Sequence, residues 1–405
     1  MEKKIVKWLK IIALVCAIVL VIEFSYIIYS VLFSEGKSVY FDGINALYSD
    51  KTGYVTVGSN NDNAQFLEKA KITKYNKKKE KSFEKLYNKG VNSSFFDIVK
   101  DEESYIAVGN YEKDENEHDN NLRSALIVKY DADGNVLFEN DFQVLGNSKF
   151  TSVVVVDDGY IVSGQSIYEN MTLGFSDDGG AFLIKYSKDL EELWKVNYGN
   201  SKSAIYNDLL VDDDTIYAVG KDDERVGIIS MYSSKGKHLK TTKYEYTDCL
   251  GFTGISKIDN RLFVVGAKVN GNDISNTDAL IVKYNLNCEY RDEVIYSSDG
   301  LERFNRLDID DHDNIIVIGT TSIASRKTSS DGVSVFSYDG LIGKYSKNLE
   351  SVSVITYGDD RDDYFTDIKC VEGKYLVTGY SSYDDGSYLS KFITYSDALK
   401  VLGVE

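Results

Sequence analysis

The residues that could do chemistry are few and scattered. Three histidines (His118, His238, His312) and four cysteines (Cys16, Cys249, Cys288, Cys370) are spread along 405 residues. No pair of them has the spacing of metal ligands, so no zinc site is expected. A nucleophile activated by a base would need a histidine beside a serine or cysteine, and the three histidines give no sign of one. Paired carboxylates could serve a glycosidase, but among 64 acidic residues some pair will always qualify. Acidic runs at Asp131/Asp133, Asp177/Asp178 and Asp308/Asp310/Asp311/Asp313 raise calcium as an ion to consider. Calcium takes six to eight oxygens, and no run forms a full EF-hand-like loop, whereas aspartates of this kind are expected as turn formers. No catalytic residue and no cofactor is therefore assigned.

The candidates for binding are of two kinds. Tyr111, Tyr168, Phe175, Phe336 and Tyr338 are aromatics in long connecting segments; there they stack on sugar rings or anchor a protein partner, or else fold back to cap their loops. Lys149 and Arg303, with Arg361, Asp362 and Asp363, stand near the starts of strands and are expected to rim a central opening.

A repeated unit must position these residues. A β-rich pentamer ending in glycine recurs seven times: YVTVG (54–58), YIAVG (105–109), YIVSG (160–164), IYAVG (216–220), LFVVG (262–266), IIVIG (315–319) and YLVTG (375–379). Downstream of each lies a second motif ending in tyrosine, at Tyr75, Tyr130, Tyr186, Tyr232, Tyr284, Tyr345 and Tyr395, in five copies preceded by lysine. Upstream lies a third, an aromatic followed by an aliphatic three residues on: 41–44, 95–98, 150–153, 206–209, 252–255, 304–307 and 365–368. The order is constant and the spacing is 46 to 61 residues. Most units add a short fourth strand after a turn such as Asp131-Ala132-Asp133-Gly134.

Many strands are nearly continuous apolar runs, which means that both sheet faces are covered. A single four-stranded unit cannot cover its own two faces, but seven closed into a ring can, each sandwiched by its neighbours. The expected fold is all-β, a seven-bladed β-propeller of four-stranded antiparallel blades, preceded by one transmembrane helix. Blades are expected at about 41–90, 91–147, 148–202, 203–248, 249–300, 301–360 and 361–405. The lysine–tyrosine pairs read as scaffold, the tyrosine packing between blades and the lysine stem covering apolar surface. With strands A to D from the centre outward, the A–B and C–D turns share one face. The B–C segments lie on the other and vary most (110–123, 165–180, 221–225, 267–277, 320–339, 380–388), which marks that face for binding.

The pattern resembles the bacterial β-propeller repeat families, whose cadence runs Gly-Tyr-Ile-Val-x-Gly and then Ala-Leu-Ile-Val-Lys-Tyr-Asp-x-Asp-Gly-Asn. The second repeat matches best, at 105–109 and 125–135, and the resemblance spans about 38–405. It implies architecture and no particular activity. The WD signature is absent, and Ser176-Asp177-Asp178-Gly179-Gly180 lacks the Thr-Trp of a sialidase Asp-box.

Composition sets the surroundings. The formal net charge is −18; the first 33 residues hold four lysines and two glutamates, leaving 42 basic and 62 acidic residues beyond them, a balance of −20. So acidic a surface repels nucleic acid and anionic lipid. There is no proline, and the wealth of lysine, asparagine, tyrosine and isoleucine suits an AT-rich bacterial genome. Residues 11–33 are apolar apart from Glu23, long enough to cross a bilayer, with four lysines ahead of them. The positive-inside rule puts residues 1–10 in the cytoplasm, and residues 34–40 link the anchor to an exported body. No small-residue cleavage site follows, which argues against a removed signal peptide. The expected protein is a single-pass, membrane-anchored module that binds a protein or a cell-wall polysaccharide. A polysaccharide lyase or hydrolase in the central funnel, or an accessory subunit using Glu23 and the helix, are the alternatives.

Overall fold

The computed structural model describes residues 42–62, 67–113, 123–143, 146–167, 180–198, 203–222, 226–244, 249–270, 276–298, 300–328, 334–358, 361–382, 388–396 and 399–404. They form seven four-stranded sheets, each an antiparallel meander of consecutive strands. The chain is a seven-bladed β-propeller of four-stranded antiparallel blades. The blades span 42–86, 93–142, 147–197, 205–243, 249–296, 302–357 and 362–404. Their inner strands are Asp42–Asp50, Ser93–Asp101, Asn147–Val156, Ile205–Asp212, Cys249–Ile258, Glu302–Ile309 and Asp362–Val371. The apolar segment 11–33, with Cys16 and Glu23, lies outside the described residues; among these no helix is long and apolar enough to cross a membrane.

The continuous apolar runs behave as their pattern demands. In the second blade Ile106 and Val108 face the third blade, while Ala107 faces the first, and all are fully buried. One apolar cluster fills each joint between blades, so the core is a ring of seven slabs rather than one ball. The repeated tyrosines pack in these joints: Tyr130, Tyr186, Tyr232, Tyr284, Tyr345 and Tyr395 are at most 2% exposed. Their lysine neighbours bridge blades as well as covering apolar surface. Lys74 donates to the Ala132 carbonyl over the Tyr105 ring, and Lys129 to the Lys188 carbonyl over Tyr160. The acidic turn residues are occupied locally, Asp131 accepting from the backbone of Asp133 and Asn135, and Asp310 from His312 and Asn314. Among the described residues no group of three or more His, Cys, Asp or Glu is arranged to hold a metal ion.

The glycine that ends each pentamer has a steric origin. A Cβ at Gly109 would collide with the Ser94 carbonyl oxygen, and one at Gly319 with that of Arg303. At this level the inner strand bulges, for example between Phe95 and Asp97, and presses its carbonyl onto the second strand. The same register corrects the first repeat. Ile44 pairs with Gly58 as Phe95 pairs with Gly109, so the motif of the first blade is 44–47, not 41–44. The sixth B–C segment is also no loop: strands Ile315–Thr328 and Ser334–Tyr345 run on through most of 320–339 as a long hairpin.

Candidate functional site

A cavity of about 690 Å³ opens on the propeller axis. It lies at the starts of the inner strands, which pair with the ends of the second strands, and so opens on the face of the variable B–C connections. Each blade contributes the residue that follows its motif aromatic (isoleucine in the first blade): Asn45, Phe96, Thr151, Asn207, Thr253, Asn305 and Thr366. Six of them reach around the ring to the next blade. Asn45 donates to the Phe95 carbonyl, Thr151 to Tyr206, Asn207 to Phe252, Thr253 to Phe304, Asn305 to Phe365 and Thr366 to Ile44, at 2.5–2.9 Å. Only Asn and Thr, with a short donor on a compact stem, occupy these six places. Phe96 breaks the ring and turns an apolar side chain to the cavity.

One residue further along each inner strand lies the floor. Asp97, Asp208 and Asp367 each accept the backbone N–H of the neighbouring blade, from Val153, Ile255 and Leu47, at 2.8–2.9 Å. Arg306 occupies the same repeat position in the sixth blade and donates to the Thr253 carbonyl. Although burial works against its charge, Asp208, Asp367 and Asp97 together raise its pKa. Burial pushes the Asp97 carboxyl up to about 6 against the pull of Arg306, with Asp208 and Asp367 adding to the rise. Below them Lys369 is raised above the usual lysine range, chiefly by Asp367, and Asp308 accepts the Cys370 N–H. This charged plug fixes the inner strands to one another; its carboxylates are spent on backbone N–H groups and on Arg306.

The rim is charged differently. Lys149 and Arg303 both line the cavity, as expected for residues at the starts of inner strands. Neither has an ion-pair partner among the described residues. Burial and the neighbouring Lys221 lower the Lys149 pKa; protein crowding and Arg306 lower that of Arg303, although its side chain stays exposed to funnel solvent. Glu302 also lines the cavity, but its carboxylate accepts from Ser298 N–H, Ser298 Oγ and Thr321 Oγ1 and is buried. Asp363 does not rim the funnel: it is 1% exposed and holds Lys391 and Ser381.

Of the aromatic candidates, Tyr338 is half-buried and lines the cavity. Its backbone N–H donates to Asp362 Oδ1 at 3.0 Å, tying the long hairpin to the seventh blade. Tyr338 packs on Tyr364, and Tyr364 stacks on Tyr380, with ring centroids 5.4 and 5.0 Å apart, so three tyrosines form one wall of the funnel. Tyr111 is not exposed: at 3% it belongs to the core between the first two blades, because its strand continues past the pentamer glycine. Tyr168 and Phe175 lie outside the described residues, as does the side chain of Phe336.

No protein-family model matches the chain. No curated protein matches it either. Among solved structures it is similar to Pyrococcus horikoshii acylaminoacyl peptidase, in an orthorhombic crystal form at 10% identity and TM-score 0.48, covering 90% of this chain and 52% of that one. The uncomplexed peptidase gives 11% identity and TM-score 0.47 over 87% and 51%. A subtype N10 neuraminidase-like protein of A/little yellow-shouldered bat/Guatemala gives 8% identity and TM-score 0.43 over 90% and 97%. The chain spans about half the length of the peptidase chains it matches.

Proposed function

We propose that this protein is a membrane-anchored, extracytoplasmic binding module that receives a protein or glycan ligand in its axial funnel. The observation that carries the reading is the 690 Å³ funnel itself, which opens on the face of the variable connections and is lined by Lys149 and Arg303, neither paired among the described residues, and by a tyrosine wall. Repeat proteins keep their scaffold chemistry in the repeat and their specificity where the repeat is broken. Here the breaks are Phe96, the long hairpin with Tyr338, and the cations Lys149 and Arg303. The anchor rests on residues 11–33 and the lysines before them. The repeat cadence supports a place among bacterial β-propeller families.

A lyase or hydrolase in the same funnel would need a carboxylate with an oxygen to spare. Glu302, the one acidic side chain among the described lining residues, has both oxygens engaged. Binding is therefore the better reading. The test uses the full chain in detergent micelles on a glycan array and against isolated cell-wall and membrane fractions. The expected result is retention of a ligand without turnover, lost when Tyr338 and Tyr380 are changed to Ala. Cleavage of a bound polymer, or capture indifferent to those two changes, would overturn it.

A further inference from the structure

The funnel also restricts what the ligand can be. In a chain of net charge −18, the charged side chains among the described lining residues are cationic apart from the buried, engaged Glu302. Lys149 comes from the third blade and Arg303 from the sixth, which face one another across a ring of seven. Each is already disfavoured as a cation by its surroundings, Lys149 by burial and Lys221, Arg303 by crowding and Arg306. The carboxylates of the floor cannot relieve them, because Asp97, Asp208 and Asp367 accept backbone N–H groups and surround Arg306. Two cations without a counter-ion among the described residues, in a concave site, call for an anion from outside.

The rest of the lining suits a polyhydroxylated ring. The wall of Tyr338, Tyr364 and Tyr380 offers flat π-faces and edges. Asn207 and Asn305 use one Nδ2 hydrogen each on the neighbouring blade, and no bond among the described residues uses their Oδ1 atoms, which can accept from hydroxyls.

Resting on the reading of the funnel as the ligand site, we infer that the ligand is an acidic carbohydrate. Its anionic group, a carboxylate or a phosphate, meets Lys149 and Arg303 while a sugar ring lies against the tyrosine wall.

Calorimetric titration of the full chain in micelles tests this with three probes: trigalacturonate, its fully methyl-esterified form, and a glycerol-phosphate trimer. At least one of the two acids should bind about tenfold tighter than the neutral ester, with affinity falling as salt is added. Which acid binds tells carboxylate from phosphate. Lys149→Gln with Arg303→Gln should remove that advantage over the ester, while Lys149→Arg with Arg303→Lys should keep most of it. Thermal melts of both variants show that the fold survives. The inference is overturned if neither acid binds, if the ester binds as well as the acids, or if the Gln pair binds like the native chain. Retention of a neutral glycan or a protein on the array would meanwhile keep the wider binding role.

Discussion

The joint between the seventh and first blades is built unlike the other six. Between the first and second blades fourteen buried residues form the cluster, and the other four interfaces up to the sixth blade, with that between the sixth and seventh, hold ten to thirteen. At the closing joint the described cluster is Leu47, Tyr54 and Phe392 alone, with Tyr75 and Leu376 beside it. At two positions of its third strand the first blade offers Lys71 and Thr73 where the second has Leu126 and Val128. A cavity of about 170 Å³ lies there, lined in part by Lys71, Thr73, Glu84 and Ser390. What closes the ring instead is the plug and its surroundings: Asp367 accepts the Leu47 N–H, Thr366 donates to the Ile44 carbonyl, and Tyr54 stacks on Phe392 at 4.3 Å. Six joints are held by apolar area together with directed bonds near the axis, whereas the seventh leans on the directed bonds.

Removing Arg306 from the plug should have the largest effect, because its partners belong to four of the joints. Arg306→Met leaves Asp97, Asp208 and Asp367 with Lys369 as their remaining cation, which costs about 3–5 kcal/mol for a broken buried ion cluster. Urea unfolding measures the loss. Hydrogen exchange should show it first in Asp42–Asp50 and Asp362–Val371, the inner strands of the closing joint. Uniform loss of protection in all seven blades would mean that the joints are equivalent after all.

Two substitutions at one strand position compare the joints directly. Ile281 and Phe392 occupy equivalent places on third strands, facing the sixth and the first blade respectively. Ile281→Ala should cost about 2–5 kcal/mol, since it empties a close-packed slab. Phe392→Ala should cost about 2 kcal/mol or less despite the larger side chain, because it borders an existing gap and a three-residue cluster. Equal losses in denaturation midpoint would remove the distinction.

The sequence made the ring legible and the closing joint illegible, for one physical reason. A repeat announces what every blade needs: the glycine under the bulge and the tyrosine in the slab. It is silent about where neighbours differ. Each motif aromatic stands 14 or 15 residues before its pentamer glycine, an interval that selects Ile44 over Phe41, whose only claim to the position is its aromatic ring. The inner ring was equally within reach, since Asn or Thr follows that position in six repeats of seven. The plug was hidden because Arg306 shares a repeat position with three aspartates, a complementarity that appears only once the ring is closed. Tyr111 was misplaced because strand length past the glycine is set by pairing with 123–130, not by local pattern.

The plug also gives the protein a pH response of known sign. The Asp97 carboxyl is raised from 3.8 to about 6 by burial, so the folded chain holds that proton more tightly than the unfolded chain. Its favourable contribution is complete below about pH 4 and is lost as pH rises through about 6. The cost is about 3 kcal/mol at most, reduced because the Asp97 side chain is only partly buried. Asp50 and Asp310, lowered to about 2, act in the opposite sense and only below pH 4, so above pH 4 the response comes from Asp97 together with Asp308, whose carboxyl burial also raises. Urea midpoints across that window should rise less steeply toward acid in Asp97→Asn than in the native chain. Identical slopes would show that the plug does not strain this carboxylate.

The smallest effect is the most specific to the closing joint. Thr394 faces the first blade, and its buried hydroxyl, like that of Ser390, has no partner among the described residues. An orphaned buried hydroxyl costs about 1 kcal/mol or more, while valine has the same shape without that demand. Thr394→Val should therefore stabilise the protein by about 1 kcal/mol. The same change at Thr151, between the third and fourth blades, removes the 2.5 Å bond to the Tyr206 carbonyl and should destabilise by a similar amount. Opposite signs for one chemical change at two joints, read from denaturation midpoints, would locate the spare stability of this ring at its closure. A loss at both would mean that the Thr394 hydroxyl has a partner in solution and that the closing joint is better satisfied than its side chains indicate.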